Sequence, residues 1–284
     1  MKIFDRLLES LEKKCRRFFN ARFYKLTPKD TMLGFKLIGN GAMESGIFEP
    51  EETYIFGGLL NQVDIFVNVG ANIGYYCCLA LLKHKPTIAF EPEPRNLKYL
   101  LKNIKANNWE NEIEIYPVAI SSKVGIVDIY GGTSGISTGA SLLRGWANTP
   151  SYLVDIVPAT TLDLVLGNRL NGQKVLVLMD IEGAEFFALQ GASVLLKQFP
   201  KPFWLVEICI RDHQPANVSI NPNLLATFSI FWENGYEAFT ANRDPRIITK
   251  EELMLIANGG ENTTQTHNFI FADREFSGGW SNFA

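Results

Sequence analysis

Residues 63–74 constrain the fold of this chain more than any other part of its sequence. An apolar, β-branched run there ends in a small loop that contains Gly70 and Gly74, and a helical pattern follows. Glycine lets the backbone of such a strand–loop–helix unit approach a ligand closely. Glu91 comes directly after the next apolar run, Thr87–Phe90, where a carboxylate can accept hydrogen bonds from ribose hydroxyls. The two elements together predict a site for a nucleoside cofactor.

The rest of the chain alternates strand and helix patterns, which favours an α/β fold with a mostly parallel sheet and helices on both faces. Strands are predicted at residues 65–69, 87–91, 112–116, 125–130, 175–179, 203–210, 237–240 and 267–271. Helices are predicted at residues 73–83, 94–106, 185–196 and 224–232. The last two strands are expected to form an antiparallel pair at the sheet edge. Residues 131–146, rich in Gly and Ser, predict a loop that either covers the site or is a surface insertion.

Composition excludes several classes of protein. A net charge of −3 over 284 residues provides no basic field for nucleic acid. No apolar run approaches the ~18 residues that a transmembrane helix needs. The four cysteines lack metal-ligand spacing and predict reduced thiols in a cytoplasmic protein.

The N-terminal segment differs in charge from the rest of the chain. Residues 1–25 carry eight Lys/Arg and three Asp/Glu on an amphipathic helical pattern. That helix is expected to pack on the domain or on a second subunit of a homo-oligomer, and peripheral membrane contact is the alternative. The predicted organisation is residues 1–50 as helix and lead-in, residues 51–273 as the main domain and residues 274–284 as a tail.

The glycine spacing of the first loop indicates which cofactor binds. A dinucleotide fingerprint reads G-x-G-x-x-G, whereas Asn72 stands at the second glycine of that pattern. Fewer free amides would face a pyrophosphate, so NAD is disfavoured. S-adenosylmethionine carries no phosphate and needs a polar patch for its amino-acid end, which Asn68, Asn72 and the loop amides can supply.

Two carboxylates, Asp180 and Glu182, follow the apolar strand at residues 175–179. Ligands of open parallel sheets collect at the carboxyl ends of the strands. Capping of the next helix is the alternative role, and it explains one carboxylate better than two. We therefore expect this pair in the functional site.

Four motifs in this order resemble the FkbM family of S-adenosylmethionine-dependent methyltransferases. They are N-V-G-A-N-I-G at residues 68–74, A-F-E-P-E-P at residues 89–94, T-L-D at residues 161–163 and D-I-E-G-A-E at residues 180–185, and N-F-I-F at residues 268–271 is similar too. The resemblance covers roughly residues 45–272. It implies a class I methyltransferase Rossmann-like sheet, mostly parallel with an antiparallel last strand, and methylation of an oxygen, typically on a sugar, glycan or secondary metabolite.

The resemblance also implies roles for individual residues. The cofactor loop comprises Asn68, Gly70, Ala71, Asn72 and Gly74, and Glu91 binds the ribose. Asn107, Val118 and Ala119 correspond to the adenine pocket, and Asp180 and Glu182 to the motif beside the transferred methyl group. The family usually has Asp where this chain has Asn68, and a Lys commonly precedes the D-x-E-G motif, where this chain has Leu178 and Met179. These departures motivate the alternative of a non-catalytic, cofactor-binding scaffold.

Methyl transfer depends mainly on positioning, and a sugar hydroxyl needs a base to remove its proton. The candidate catalytic residues are Asp180, Glu182, Glu207 and His213. The same four could alternatively hold Mg²⁺, although no metal is expected. The sequence thus predicts an S-adenosylmethionine-dependent O-methyltransferase for a carbohydrate or metabolite acceptor. A scaffold of the same fold and, less favoured, an NAD-type oxidoreductase are the alternatives.

Overall fold

A computed structural model describes residues 26–131 and 139–275, so the predicted N-terminal helix lies outside the described residues. The strands are β1 (Lys29–Asp30), β2 (Lys36–Leu37), β3 (Ile65–Val69), β4 (Thr87–Phe90), β5 (Ile113–Tyr116), β6 (Ala119–Ile120), β7 (Gly125–Tyr130), β8 (Val154–Thr160), β9 (Val175–Met179), β10 (Phe203–Glu207), β11 (Tyr236–Thr240) and β12 (Asn268–Asp273). The helices are α1 (Gly41–Ser45), α2 (Pro50–Leu60), α3 (Tyr75–Leu82), α4 (Pro94–Ala106), α5 (Leu162–Leu166), α6 (Glu185–Gln190), α7 (Ser193–Lys197), α8 (Leu224–Glu233) and α9 (Lys250–Ala257). A 3₁₀ turn spans Trp146–Asn148.

Seven strands form the central sheet, in the order β11-β12-β10-β9-β3-β4-β5. Strand β12 runs antiparallel to both of its neighbours, and the remaining pairs are parallel. This is the class I methyltransferase sheet, and it confirms the predicted fold class. The closing strands form the expected antiparallel pair, with β11 at the edge.

Helices cover both faces of this sheet, which explains why β3 and β9 are buried along their whole length and, apart from Asn68, consist of apolar residues. Helices α2, α3 and α4 pack on one face, where Phe56, Leu81 and Leu100 are fully buried. Helices α5 to α9 pack on the other, around Leu195 and Phe228. The two cores hold the strands together at their carboxyl ends, where the site forms.

Several predicted elements differ from those observed. Strand β7 belongs to a separate three-stranded sheet, β6-β8-β7, and is not an extra strand of the central one. The single helix predicted at residues 185–196 is the pair α6 and α7, interrupted at Gly191. A Cβ at Gly191 would lie 2.5 Å from the Ser121 carbonyl oxygen. The backbone at Ser121 therefore leaves room only for glycine at this position, where the first helix ends. Strand β10 ends at Glu207, three residues before the predicted end.

Four elements, α2, β8, α5 and α9, were not predicted from the sequence pattern. The lead-in before α2 contains the small β1–β2 hairpin. The amide of Asn103 in α4 accepts a hydrogen bond from Ile38 N and donates to Ile38 O, which ties the lead-in to the main core. Among the helices of the described ranges, none is long and apolar enough to cross a membrane.

Candidate active site

The glycine loop and the D-x-E-G motif touch each other at the carboxyl ends of β3 and β9. Gly70 has φ +90°, and a Cβ placed there would lie 1.8 Å from the carbonyl oxygen of Asp180. In turn, Asp180 N donates a 3.0 Å hydrogen bond to Val69 O. The first glycine of the loop therefore allows the close approach of two backbones.

Glu91 lies at the tip of β4 and is joined to the same loop. One carboxylate oxygen accepts a 2.6 Å hydrogen bond from Asn72 N, and the other accepts one of 2.8 Å from Glu93 N. Burial raises the pKa of Glu91 to about 7, even though the backbone donors act in the opposite direction. A carboxyl in this position can accept further hydrogen bonds from a diol.

A cavity of about 570 Å³ runs from Glu91 to the D-x-E-G motif. The predicted site residues that line it are Gly70, Asn72, Glu91, Val118, Ala119, Asp180 and Glu182. Ile129, Ala140 and Leu142 form another part of the wall. Ile129 lies in β7 of the small sheet, and the other two lie in the segment between β7 and β8. One end of the cavity thus offers apolar walls beside Glu91, and the other offers carboxylates.

Four residues implied by the resemblance do not line this cavity. Gly74 begins α3 with φ +88°, where a Cβ would lie 2.4 Å from the Leu100 side chain, and Ala71 is buried in the core. Asn107 ends α4 and bonds the backbone of Lys36. Asn68 is buried beneath the loop and donates a 3.4 Å hydrogen bond to the Cys77 sulfur, while its side-chain oxygen has no hydrogen-bond partner.

A second cavity of about 420 Å³ adjoins the first, and Asp180 lines both. Its polar walls are Glu49, Glu52, Tyr76, Asp180, Glu207, His267 and Asn268. Tyr76 donates a 2.7 Å hydrogen bond to Glu49, and Asn268 donates one of 3.0 Å to Glu52. The His267 ring lies 3.8 Å from the Glu207 carboxylate.

The carboxyl groups of the two cavities are held in a low-dielectric environment. Burial, followed by the charges of Glu207 and Glu182, raises the pKa of Asp180 well above its usual value. Burial also raises the pKa of Glu49 to about 7. Such shifts cluster at functional sites, because catalysis needs groups that change protonation near neutral pH.

Glu182 is fixed by the segment that joins β7 to β8 of the small sheet. Its backbone is left-handed, with φ 55°. Its carboxylate accepts a 2.7 Å hydrogen bond from the indole N–H of Trp146, and its carbonyl oxygen accepts one of 2.5 Å from Ser141 Oγ. The loop predicted at residues 131–146 therefore contacts the site in its described part.

His213 is exposed and lines neither cavity. Its ring stacks on the Trp146 ring, with centroids 6.1 Å apart. Of the four candidate bases, the structure brings Asp180, Glu182 and Glu207 to the cavities and leaves His213 outside them. Across residues 26–131 and 139–275, no group of three or more His, Cys, Asp or Glu is arranged to hold a metal ion.

Sequence reasoning missed Glu49, Glu52 and Tyr76. Glu49 directly precedes α2 and Glu52 lies in its first turn, and the sequence pattern did not reveal this helix. Tyr76 falls in an apolar helix, where a core position is the expectation. Pro50 at the first helical position, directly after Glu49, is the one signal that would have placed that helix.

The sheet and the cavity at its carboxyl edge define a class I methyltransferase. Residues 68–238 match the family described as the methyltransferase FkbM domain, and the chain belongs to this family of S-adenosylmethionine-dependent methyltransferases. Comparison with curated proteins gives no significant match.

Several methyltransferases are among the solved structures that are similar to this chain. A methyltransferase FkbM from Methylobacillus flagellatus KT is 15% identical with a TM-score of 0.42, and the alignment covers 74% of this chain but 43% of that one. A putative O-methyltransferase from Klebsiella pneumoniae is 9% identical over 95% of both chains, with a TM-score of 0.41. The geranyl diphosphate C-methyltransferase from Streptomyces coelicolor A3(2) is 10% identical, over 93% of this chain and 98% of that one, with a TM-score of 0.36.

Proposed function

We propose that this protein is an O-methyltransferase that transfers the methyl group of S-adenosylmethionine to a hydroxyl of a sugar, glycan or glycosylated metabolite. The observation that carries the proposal is the position of Asp180, which lines both the cavity beside Glu91 and the polar cavity next to it. A methyl transfer needs a cofactor and an acceptor on either side of one narrow junction.

The first cavity fits the cofactor. Glu91 offers acceptors for the ribose hydroxyls, and Val118 and Ala119 offer an apolar surface for the adenine ring. Gly70 and Asn72 would hold the amino-acid end, with Asp180 and Glu182 beside its positive charges. When bound, S-adenosylmethionine supplies an electrophilic methyl group.

The second cavity suits a polyhydroxylated acceptor. Carboxylates, a phenol and an amide line it, and these are groups that bind sugar hydroxyls. Beyond Glu52 and His267 it adjoins a shallow polar groove that includes Asn242, Asn262 and Gln265. An acceptor longer than one sugar can lie along this groove.

The Asp180–Glu207 pair is the proposed proton acceptor. Two carboxylates in a buried site hold a proton between them, because both cannot be ionised at low cost. As the new O–CH₃ bond forms, the proton of the acceptor hydroxyl passes to this pair, and it then leaves to solvent. Glu182 and His213 are assigned no role in that transfer.

Calorimetry with S-adenosylmethionine and S-adenosylhomocysteine tests the cofactor assignment. Glu91→Ala is expected to weaken the binding of both ligands. S-adenosylhomocysteine release with a panel of sugars, glycans and glycosylated metabolites tests the acceptor class. Absence of binding of either ligand to the wild type contradicts the proposal. Binding without turnover on the whole panel favours the scaffold, and thermal protection by NAD instead favours the oxidoreductase.

A further inference from the structure

Residues 139–149, here called the Trp146 segment, cover the D-x-E-G motif. Ser141 exchanges two backbone hydrogen bonds of 2.8 Å with Tyr130 at the end of β7, so the segment is anchored to the small sheet. Trp146 itself is 1% exposed, although it lies in a 3₁₀ turn and not in a strand or long helix. The burial of an indole in such a short turn indicates a specific contact with the rest of the protein.

That contact is Glu182. The indole N–H donates to the carboxylate at 2.7 Å, while Ser141 Oγ donates to the carbonyl oxygen of the same residue. The next residue, Gly183, has φ +94°, and a Cβ there would lie 2.5 Å from the Trp146 ring. The motif is therefore shaped to receive the indole, since its glycine leaves the space that the ring fills.

The other face of the indole is also covered. The His213 ring stacks on it at 28°, and Ala147 N donates a 2.7 Å hydrogen bond to His213 O. Trp146 is thus held between the loop after β9 and the loop after β10. These packing contacts fix the direction of its N–H bond.

The charges around Glu182 are all of one sign. Asp180, Glu185, Glu207, Glu49 and the Cys209 thiol are the ionisable groups named as acting on it or as acted on by it. Among the described residues that line the two cavities, none is Lys or Arg. Burial raises the pKa of Glu182 to about 7, and the hydrogen bond from Trp146 acts in the opposite direction. The indole is therefore a neutral donor that favours the charged carboxylate where no cation of the protein does.

We infer that Trp146 is a positioning residue that keeps the Glu182 carboxylate ionised and directed at the cationic end of the cofactor, and so favours S-adenosylmethionine over its demethylated product. The inference rests on the proposed function, because it takes the cofactor to lie in the first cavity. S-adenosylmethionine has a sulfonium charge that S-adenosylhomocysteine lacks, so an ionised carboxylate distinguishes the two. Release of the product is favoured by the same interaction.

The test measures the Kd of both ligands by calorimetry between pH 6 and 9. The proteins compared are the wild type, Trp146→Phe, Glu182→Gln and the double variant. In the wild type, affinity for S-adenosylmethionine should rise through about pH 7, the pKa of Glu182. Loss of the indole N–H should move this rise upward by about one pH unit, which weakens binding about five-fold at pH 7. Affinity for S-adenosylhomocysteine should change much less. Glu91 lines the same cavity with a pKa of about 7 and acts on both ligands, so Glu182→Gln should remove the part of the rise that S-adenosylhomocysteine does not share. Trp146→Phe should then have no further effect on that part.

Two further variants separate the hydrogen bond from packing. Replacement of Trp146 alone by 3-benzothienylalanine keeps the fused ring and removes the N–H, so it should reproduce the shift even if Trp146→Phe fails to fold. Trp109→Phe, a partly buried tryptophan remote from both cavities, should leave the profile unchanged.

A purely structural role predicts a different result. Equal weakening of both ligands, with the wild-type pH midpoint retained in the benzothienyl variant, overturns the inference but leaves the proposed function intact. Failure of the wild type to bind either ligand at any pH overturns the proposed function itself.

Discussion

The backbone amide of Asn72 donates a 2.6 Å hydrogen bond to the carboxylate of Glu91, 19 residues further along the chain. This bond fastens the glycine loop after β3 to the tip of β4. The second carboxylate oxygen is bound to Glu93 N, so the orientation of the whole group is fixed before any ligand arrives. Pre-organisation of this kind lowers the entropic cost of binding.

Glu91→Gln should weaken S-adenosylmethionine binding about 10- to 100-fold. The change replaces one carboxylate oxygen by an NH₂ group, which cannot accept a hydrogen bond from Asn72 N or from a ribose hydroxyl. Calorimetry of the purified variant measures this effect. Glu110→Gln, the same change at an exposed turn, is the control and should bind like the wild type. Equal affinity of wild type and Glu91→Gln would contradict the assigned role of Glu91.

Gly70→Ala should lower the free energy of unfolding by more than about 4 kcal/mol, or prevent folding, because the new Cβ would meet Asp180 O at 1.8 Å. Gly57→Ala is a control of opposite sign. Gly57 lies in α2 with open space around its Cα, so alanine should stabilise the protein by about 0.5–1 kcal/mol. Urea denaturation of both variants gives the comparison, and a wild-type transition for Gly70→Ala would refute the backbone contact.

The buried carboxyl group of Glu185 is expected to make the stability of the protein depend on pH. Burial raises the pKa of its carboxyl from 4.5 to about 8, although the Gly183 N–H donates to it. Because the pKa in the folded state is the higher one, the contribution of this group is fully present below pH 4.5 and is lost as pH rises to 8. Glu185→Gln should therefore gain on the order of 3 kcal/mol relative to wild type between pH 4.5 and pH 8.5.

Urea denaturation at the two pH values measures this difference. Glu233→Gln, at an exposed position, should show the pH dependence of the wild type. A difference between wild type and Glu185→Gln that does not vary with pH would show that Glu185 does not titrate in this range.

Glu207→Gln should lower the pKa of Asp180, because the charge of Glu207 is, after burial, the main cause that raises it. Titration of ¹³C-labelled carboxyl groups by NMR follows Asp180 directly. Glu52→Gln is the matched control, since Glu52 lines the same cavity without contributing to the shift. An Asp180 titration unchanged by Glu207→Gln would separate the two carboxyls and remove the basis for a shared proton.

The sequence predicted the central sheet well where one local pattern decides the structure. Strands β3 and β9 are buried on both faces, so each is a run of apolar residues, broken only by Asn68 in β3, and the loops that follow carry the polar motifs. Those motifs indicated Glu91 and Asp180, and both line the first cavity. A ligand-facing loop at a strand end is readable because strand and loop are adjacent in the chain.

The second cavity could not be predicted in this way. Glu49, Tyr76 and Glu207 come from three separate elements, and only the packing of α2 and α3 over the sheet brings them together. The role of Trp146 was equally hidden, since its partner Glu182 is 36 residues away and no periodic pattern links them. Asn68 shows the opposite case, because a motif position that suggested ligand contact is buried beneath the loop.

The small β6-β8-β7 sheet carries one wall of the first cavity, and in the described residues no strand pairing joins it to the central sheet. Side-chain packing around Ile129, Val157 and Ala159 therefore sets the width of the cavity, independently of the register between β3 and β9. Substitutions there can widen or narrow one wall while the strand ends stay in place. This makes the small sheet the natural starting point for engineering acceptance of enlarged cofactor analogues, and a place where related enzymes can diverge without loss of fold.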